Sequence, residues 1–286
     1  MVVIWGYSWV VMKIALRHSH PFDFSALRVG FAAALLFVFV WLRGRGRLAL
    51  PRYGMAVLLG LLQVGLFVVL SQLALLHAGP GKTAVLVFTM PFWMILFAHV
   101  VIHERIRGPQ WLAVALALVG LVLIVAPWEL RSLAGSLLAV AAGAAWALGA
   151  VLSKKWPIAA ADPLLFTAWQ LLVGFAALAL LALVHTHEPV RWNLEFVVAL
   201  VFCAAFATAI GWWLWTYVLA HTPAGIAGLN SLGIPVIAVL SSAIQLGERP
   251  PPLELAGMVA IGAALALLAW LGLRTKGTVA TATPVD

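Results

Sequence analysis

Ten apolar runs follow one another with very little between them, at about 2–16, 25–42, 54–77, 81–102, 109–127, 133–153, 163–184, 194–219, 224–246 and 253–273. Most come close to the roughly 20 residues that carry a helix across a hydrocarbon core about 30 Å thick. Backbone polar groups find no water there, so only helices and closed barrels cross, and unbroken rather than alternating apolar runs select helices. A soluble domain is about 25% charged. This chain is 9% charged and 65% hydrophobic, too little polar surface to wet a globule. It is therefore expected to be an all-α integral membrane protein with ten transmembrane helices. The first run has neither a basic lead nor a small-residue cleavage signal, so it is read as a retained helix. The stretch after Arg274, rich in Thr, Ala and Pro, is expected to be a disordered tail.

The loops set the orientation. With the amino terminus inside, the cytoplasmic loops hold ten Lys and Arg, including Arg43, Arg45, Arg47, Arg52, Lys154 and Lys155, against six on the other side. Basic residues are retained on the cytoplasmic face, so both termini are expected in the cytoplasm of a cell whose inner membrane the chain spans. The same bias explains the net charge of +8 without a nucleic-acid partner. Cys203 is a lone cysteine, which excludes an internal disulfide, a four-cysteine zinc site and an iron–sulfur cluster.

An internal echo runs through the chain. The stretch Pro21 to Arg28 is repeated at Pro163 to Gln170, and Trp5 and Lys13 at Trp146 and Lys154. His77, Gly81, Pro91, Glu104 and Arg105 return at His221, Gly225, Pro235, Glu248 and Arg249, all displaced by 144 residues. Residues 1–127 and 133–273 are then two five-helix repeats, with 274–286 a cytoplasmic tail. Because five is odd, the second repeat enters from the opposite side, an inverted arrangement suited to alternating access.

Trp5-Gly6 with Lys13 and Pro21, the Pro91 helix ending in Glu104-Arg105 and its echo ending in Glu248-Arg249 resemble the EamA-type branch of the drug/metabolite transporter superfamily, most of all its YddG-type amino-acid exporters. The resemblance implies ten helices in two inverted repeats, a cytoplasmic amino terminus and a substrate cavity lined mainly by helices 1, 3, 4, 6, 8 and 9, with helices 5 and 10 peripheral. On that assignment Trp5, Trp93, Trp146 and Trp213 stand on cavity helices, and Trp93, Trp146 and Asn230 meet one solute near the midplane.

An ionised side chain in the membrane costs at least about 2.5 kcal/mol, so the polar groups within the runs are few and informative. None is a central carboxylate. Lys13, Lys82 and Arg28 are expected to snorkel to headgroups. His77 ends the third run and is a substrate-binding candidate, since histidine changes charge near neutral pH; the plainer reading is a helix-end cap. Pro91 and Pro235 fall near the middle of their runs and are expected to kink them as hinges. Trp41, Trp111, Trp128, Trp192 and Trp270 are expected as interfacial anchors. His99 and His103 lack a third ligand, Gly81-Lys82-Thr83 lacks the first glycine of a phosphate loop, and no hydrolase or protease motif is present, so no metal, cofactor or enzymatic role is expected.

A wall of Trp, one His and neutral amides suits a small amphipathic solute of little net charge. The expected function is export of amino acids and related neutral metabolites by alternating access. The alternatives are a broad drug or aromatic-compound exporter and a structural membrane protein that moves nothing. The expected partners are the solute and the lipid bilayer, and nothing calls for more than a monomer.

Overall fold

The computed structural model describes residues 1–43, 53–103, 108–125, 130–156, 162–185, 188–221 and 233–280. The regular structure in these segments is helical. The helices are α1 (Val2–Ala15), α2 (Pro21–Leu42), α3 (Tyr53–His77), α4 (Pro80–Val101), α5 (Gly108–Val125), α6 (Leu130–Lys155) and α7 (Pro163–Val184), followed by α8 from Leu194 to His221, α9 (Gly233–Leu246) and α10 (Pro252–Ala280). Seven are long and apolar enough to cross a membrane, while α1, α5 and α9 contain shorter apolar stretches. The last helix continues through Arg274 to Ala280, where a disordered tail is expected. Residues 281–286, Glu104, Arg105, Trp128 and Asn230 lie outside the described residues.

Local signals explain the helix starts. Pro21 and Pro163 stand at the first helical position, where proline's missing N–H is no loss. The His20 ring accepts from the Phe22 N–H, and Asp162 accepts from the Leu165 N–H at 3.2 Å. The α2 start at Pro21 is four residues ahead of the start the apolar run suggests, because hydropathy does not register a capped first turn. His103 and Gly247 follow the ends of α4 and α9 with φ of 56° and 66°, and they obey the same 144-residue displacement as the sequence echo. A residue in this left-handed region ends a helix cleanly.

Three interruptions shape the centre. α3 is π-helical over Gly60–Leu66, and α8 is π-helical over Phe202–Ile210, the corresponding place in the second half. α4 breaks at Phe88 and Thr89, just before Pro91, which cannot donate to a carbonyl one turn back. Pro235 lies in the first turn of α9; residues 222–232 before it lie outside the described residues.

Packing pairs each helix with its counterpart or with a mirror arrangement. α2 lies along α7 and α5 along α10, while α1 packs on α9 and α4 on α6. α3 contacts α6 and α7, as α8 contacts α1 and α2. At the α5/α10 contact the Cβ position of Gly120 is 2.8 Å from the Gly257 carbonyl, so only glycine allows this approach. Trp41, Trp111, Trp192 and Trp270 are exposed.

One end of the bundle is tied together. Lys13 Nζ donates to the Leu75 and Ala78 carbonyls, capping the end of α3. Glu248 accepts from the Gly81 N–H at 3.4 Å and from the Ser242 hydroxyl. Lys82 pairs with Glu254 at 2.5 Å, and His18 with Glu195 at 2.6 Å. Lys13 and Lys82, expected to snorkel, instead hold partners within the protein, the carbonyls at the end of α3 and the Glu254 carboxylate.

Candidate functional site

A cavity lies among α1, α2, α3, α4, α6 and α8. Its apolar wall is a ring cluster. Trp5 and Trp146, which occupy equivalent places in the two halves, meet edge to face with centroids 5.4 Å apart. Trp146 also stacks on Trp212 at 5.8 Å and touches Phe67 at 4.8 Å and Phe88 at 6.1 Å. Edge-to-face and offset contacts fix ring orientations, so the wall is preformed.

The interruptions position this cluster. Phe88 stands at the break in α4. Trp5 Nε1–H donates to the Ala207 carbonyl at 2.8 Å, within the π-helical segment of α8. π-helical turns in α-helices are often found at functional sites. The Cβ position of Gly211 is 2.2 Å from Trp5 Nε1, so glycine there leaves room for the indole. On α3, the other π-helical segment carries Gln63, whose Oε1 accepts from Gln170 at 3.0 Å and whose Nε2 donates to the Trp146 carbonyl at 3.4 Å.

The polar side of the wall is Arg28, Ser8, Ser71 and Thr208. Ser8 and Ser71 donate back to carbonyls three residues earlier on their own helices. Arg28 is only 5% exposed. Its expected snorkelling is corrected here: with α2 starting at Pro21, Arg28 is two turns inside the helix, about 10 Å along the axis. It donates to the Met12 sulfur and lies over the Phe24 ring, 5.9 Å away, with the Cys203 thiol nearby. Among the described residues no carboxylate pairs with it. Buried atoms without a hydrogen-bond partner in the described structure include Arg28 Nε, Trp146 Nε1 and Gln72 Oε1.

Of the candidates from sequence, Trp5 and Trp146 are brought together. His77 is exposed at the end of α3, its Nδ1 2.9 Å from the Leu73 carbonyl, outside this cavity. Trp93 stacks on Phe97 and Trp213 lies under the Arg43 guanidinium; neither lines the cavity. Trp212 takes the place expected of Trp213. α2 contributes a wall residue that the six-helix expectation lacks, while Asn230 lies outside the described residues.

Comparison with known proteins decides what kind of molecule this is. The model of the EamA-like transporter family matches twice, over residues 1–126 and 133–270. The chain belongs to that family. This EamA-like transporter is 28% identical over 282 residues to a probable amino-acid metabolite efflux pump of Salmonella typhimurium, covering 93% of this chain and 91% of the relative. It is 25% identical over 278 residues to a protein of the same description in Escherichia coli, covering 91% and 89%. It is 27% identical over 260 residues to an uncharacterized transporter, YoaV, of Bacillus subtilis, with 87% of each covered. A crystal structure 20% identical to it has a TM-score of 0.69, covers 94% of this chain and 97% of that one, and so shares the fold. As an EamA-like transporter it is a multi-pass membrane protein that carries a small molecule, rather than an enzyme.

Proposed function

We propose that the chain exports amino acids and related small amphipathic metabolites across the inner membrane by alternating access, with ten spans in two inverted repeats and both termini cytoplasmic. The observation that carries this is the cavity between the halves, where Trp5 and Trp146 face each other from equivalent positions. A site near a pseudo-two-fold axis opens to either face when the halves rock. Support for inversion comes from the exchange-symmetric helix contacts and the paired π-helical segments. Support for the cargo class comes from the two relatives described as amino-acid metabolite efflux pumps. The aromatic wall also favours a second reading, a broader exporter of aromatic compounds.

Flux of labelled large neutral amino acids from proteoliposomes tests the function. Trp146→Ala, and separately Trp5→Ala, should remove about 1–3 kcal/mol of apolar contact, a ten- to hundred-fold loss of apparent affinity that is largest for bulky cargo. Normal flux through both folded variants would rule the pocket out. Competition by uncharged aromatic compounds equal to that by amino acids would favour the second reading.

Topology has its own test, simplified by the burial of Cys203, the native cysteine. In intact cells a membrane-impermeant maleimide should label Arg191→Cys, at the tied end, and should reach Lys155→Cys only after permeabilisation. The reverse pattern overturns the orientation.

A further inference from the structure

Arg28 is a full positive charge set two turns into a membrane helix, and the groups around it do not satisfy it. A thioether is a weak acceptor and an aromatic ring a diffuse one, whereas a guanidinium presents five donors in a fork that fits a carboxylate. Its Nε has no partner in the described structure. The other half shows what a satisfied version looks like. Gln170 occupies the position that corresponds to Arg28, and its amide is held by Gln63 at 3.0 Å. The first half therefore keeps a charged, unpaired donor where the second keeps a neutral, paired one. Buried intramembrane charges of this kind are costly and mark substrate pathways.

We propose that Arg28 binds the carboxylate of the transported molecule, making this a site for a carboxylate on an apolar body. The inference rests on the transport reading of the same cavity. Trp146 Nε1, another buried donor without a partner, lies in the same wall and adds to an excess of donors that suits an anionic group. Met12 Sδ takes N–H groups from both Arg28 and Gln72, the latter at 3.3 Å, so amide and guanidinium converge on one sulfur. A carboxylate oxygen is a far better acceptor than that sulfur, and its arrival releases the thioether contact. The expectation of a wall without a cation is thus replaced by one that recognises a carboxylate.

The test is a comparison of matched ligands on the purified full chain in detergent, by equilibrium binding of phenylalanine, tryptophan and leucine, of their carboxamides, and of 3-phenylpropionate. The unaltered protein should bind each acid about ten- to hundred-fold more tightly than its amide, the expected worth of a charged hydrogen bond. Arg28→Gln should abolish that preference, and Arg28→Lys should restore part of it. Because the readout is a ratio within one protein, a general loss of affinity does not imitate it. Binding of 3-phenylpropionate weaker than that of phenylalanine identifies the zwitterion as cargo, and equal binding identifies a simple carboxylate; both support the role of Arg28. Equal binding of acid and amide by the unaltered protein, or an unchanged ratio in folded Arg28→Gln, overturns it and leaves the cavity standing. Binding of none of these ligands overturns the transport reading of the cavity and this inference with it.

Discussion

Lys82→Met is expected to destabilise the protein by about 3–5 kcal/mol, because it leaves Glu254 charged, largely shielded from water and without its partner. The pair is short, at 2.5 Å, and its side chains are only 8% and 15% exposed. The double substitution Lys82→Met with Glu254→Gln removes both charges and should recover most of the loss. Thermal unfolding in detergent measures both variants. A single variant as stable as the unaltered chain would mean that the pair contributes nothing to holding α10 against the start of α4. The effect is conformational as well as energetic, since Lys82 follows the Gly79 and Gly81 contacts with Glu248 and all three belong to the tied end.

The second large effect is at Gly143, on the face of α6 that meets α4. A Cβ there would lie 2.5 Å from the Val87 carbonyl oxygen, and backbone cannot swing aside as a side chain can. Val87 is the last residue before the break in α4, so yielding would move Phe88 and the cavity wall with it. Gly143→Ala should cost about 1–3 kcal/mol as overpacking and lower cargo affinity as well. Gly262→Ala provides the opposite sign: nothing lies within 4 Å of its Cβ position, and exchanging glycine for alanine inside a helix stabilises by about 0.5–1 kcal/mol. An unchanged or raised unfolding midpoint for Gly143→Ala would refute this account of the α4/α6 contact.

The helical architecture was legible because backbone satisfaction in lipid leaves few choices, and ten apolar runs locate the helices closely. Three features of the site were not legible, each for a physical reason. A helix that is apolar all round carries no phase information, so nothing in the pattern distinguishes Trp212 from Trp213, one residue and about 100° apart. Arg28 looked terminal because the apolar run opens near residue 25, although Pro21 and Asp23 are ordinary signals of an earlier start. The Gln63 to Gln170 contact joins residues far apart in sequence, and no local pattern announces it. The pairing of Trp5 with Trp146 was accessible because repetition, rather than hydropathy, singled out both.

The π-helical stretches in α3 and α8 carry a consequence for any substitution scan of these helices. A turn closed by an i to i+5 bond takes up more residues than an α-turn, so the count of residues per turn slips within Gly60–Leu66 and again within Phe202–Ile210. A stripe of tolerant, lipid-facing positions followed from Tyr53 therefore drifts out of phase before it reaches His77. Periodicity fitted across the whole of either helix averages two registers and blurs both, whereas fits made separately on each side of the wide turns keep the lipid-facing and inward-facing stripes apart.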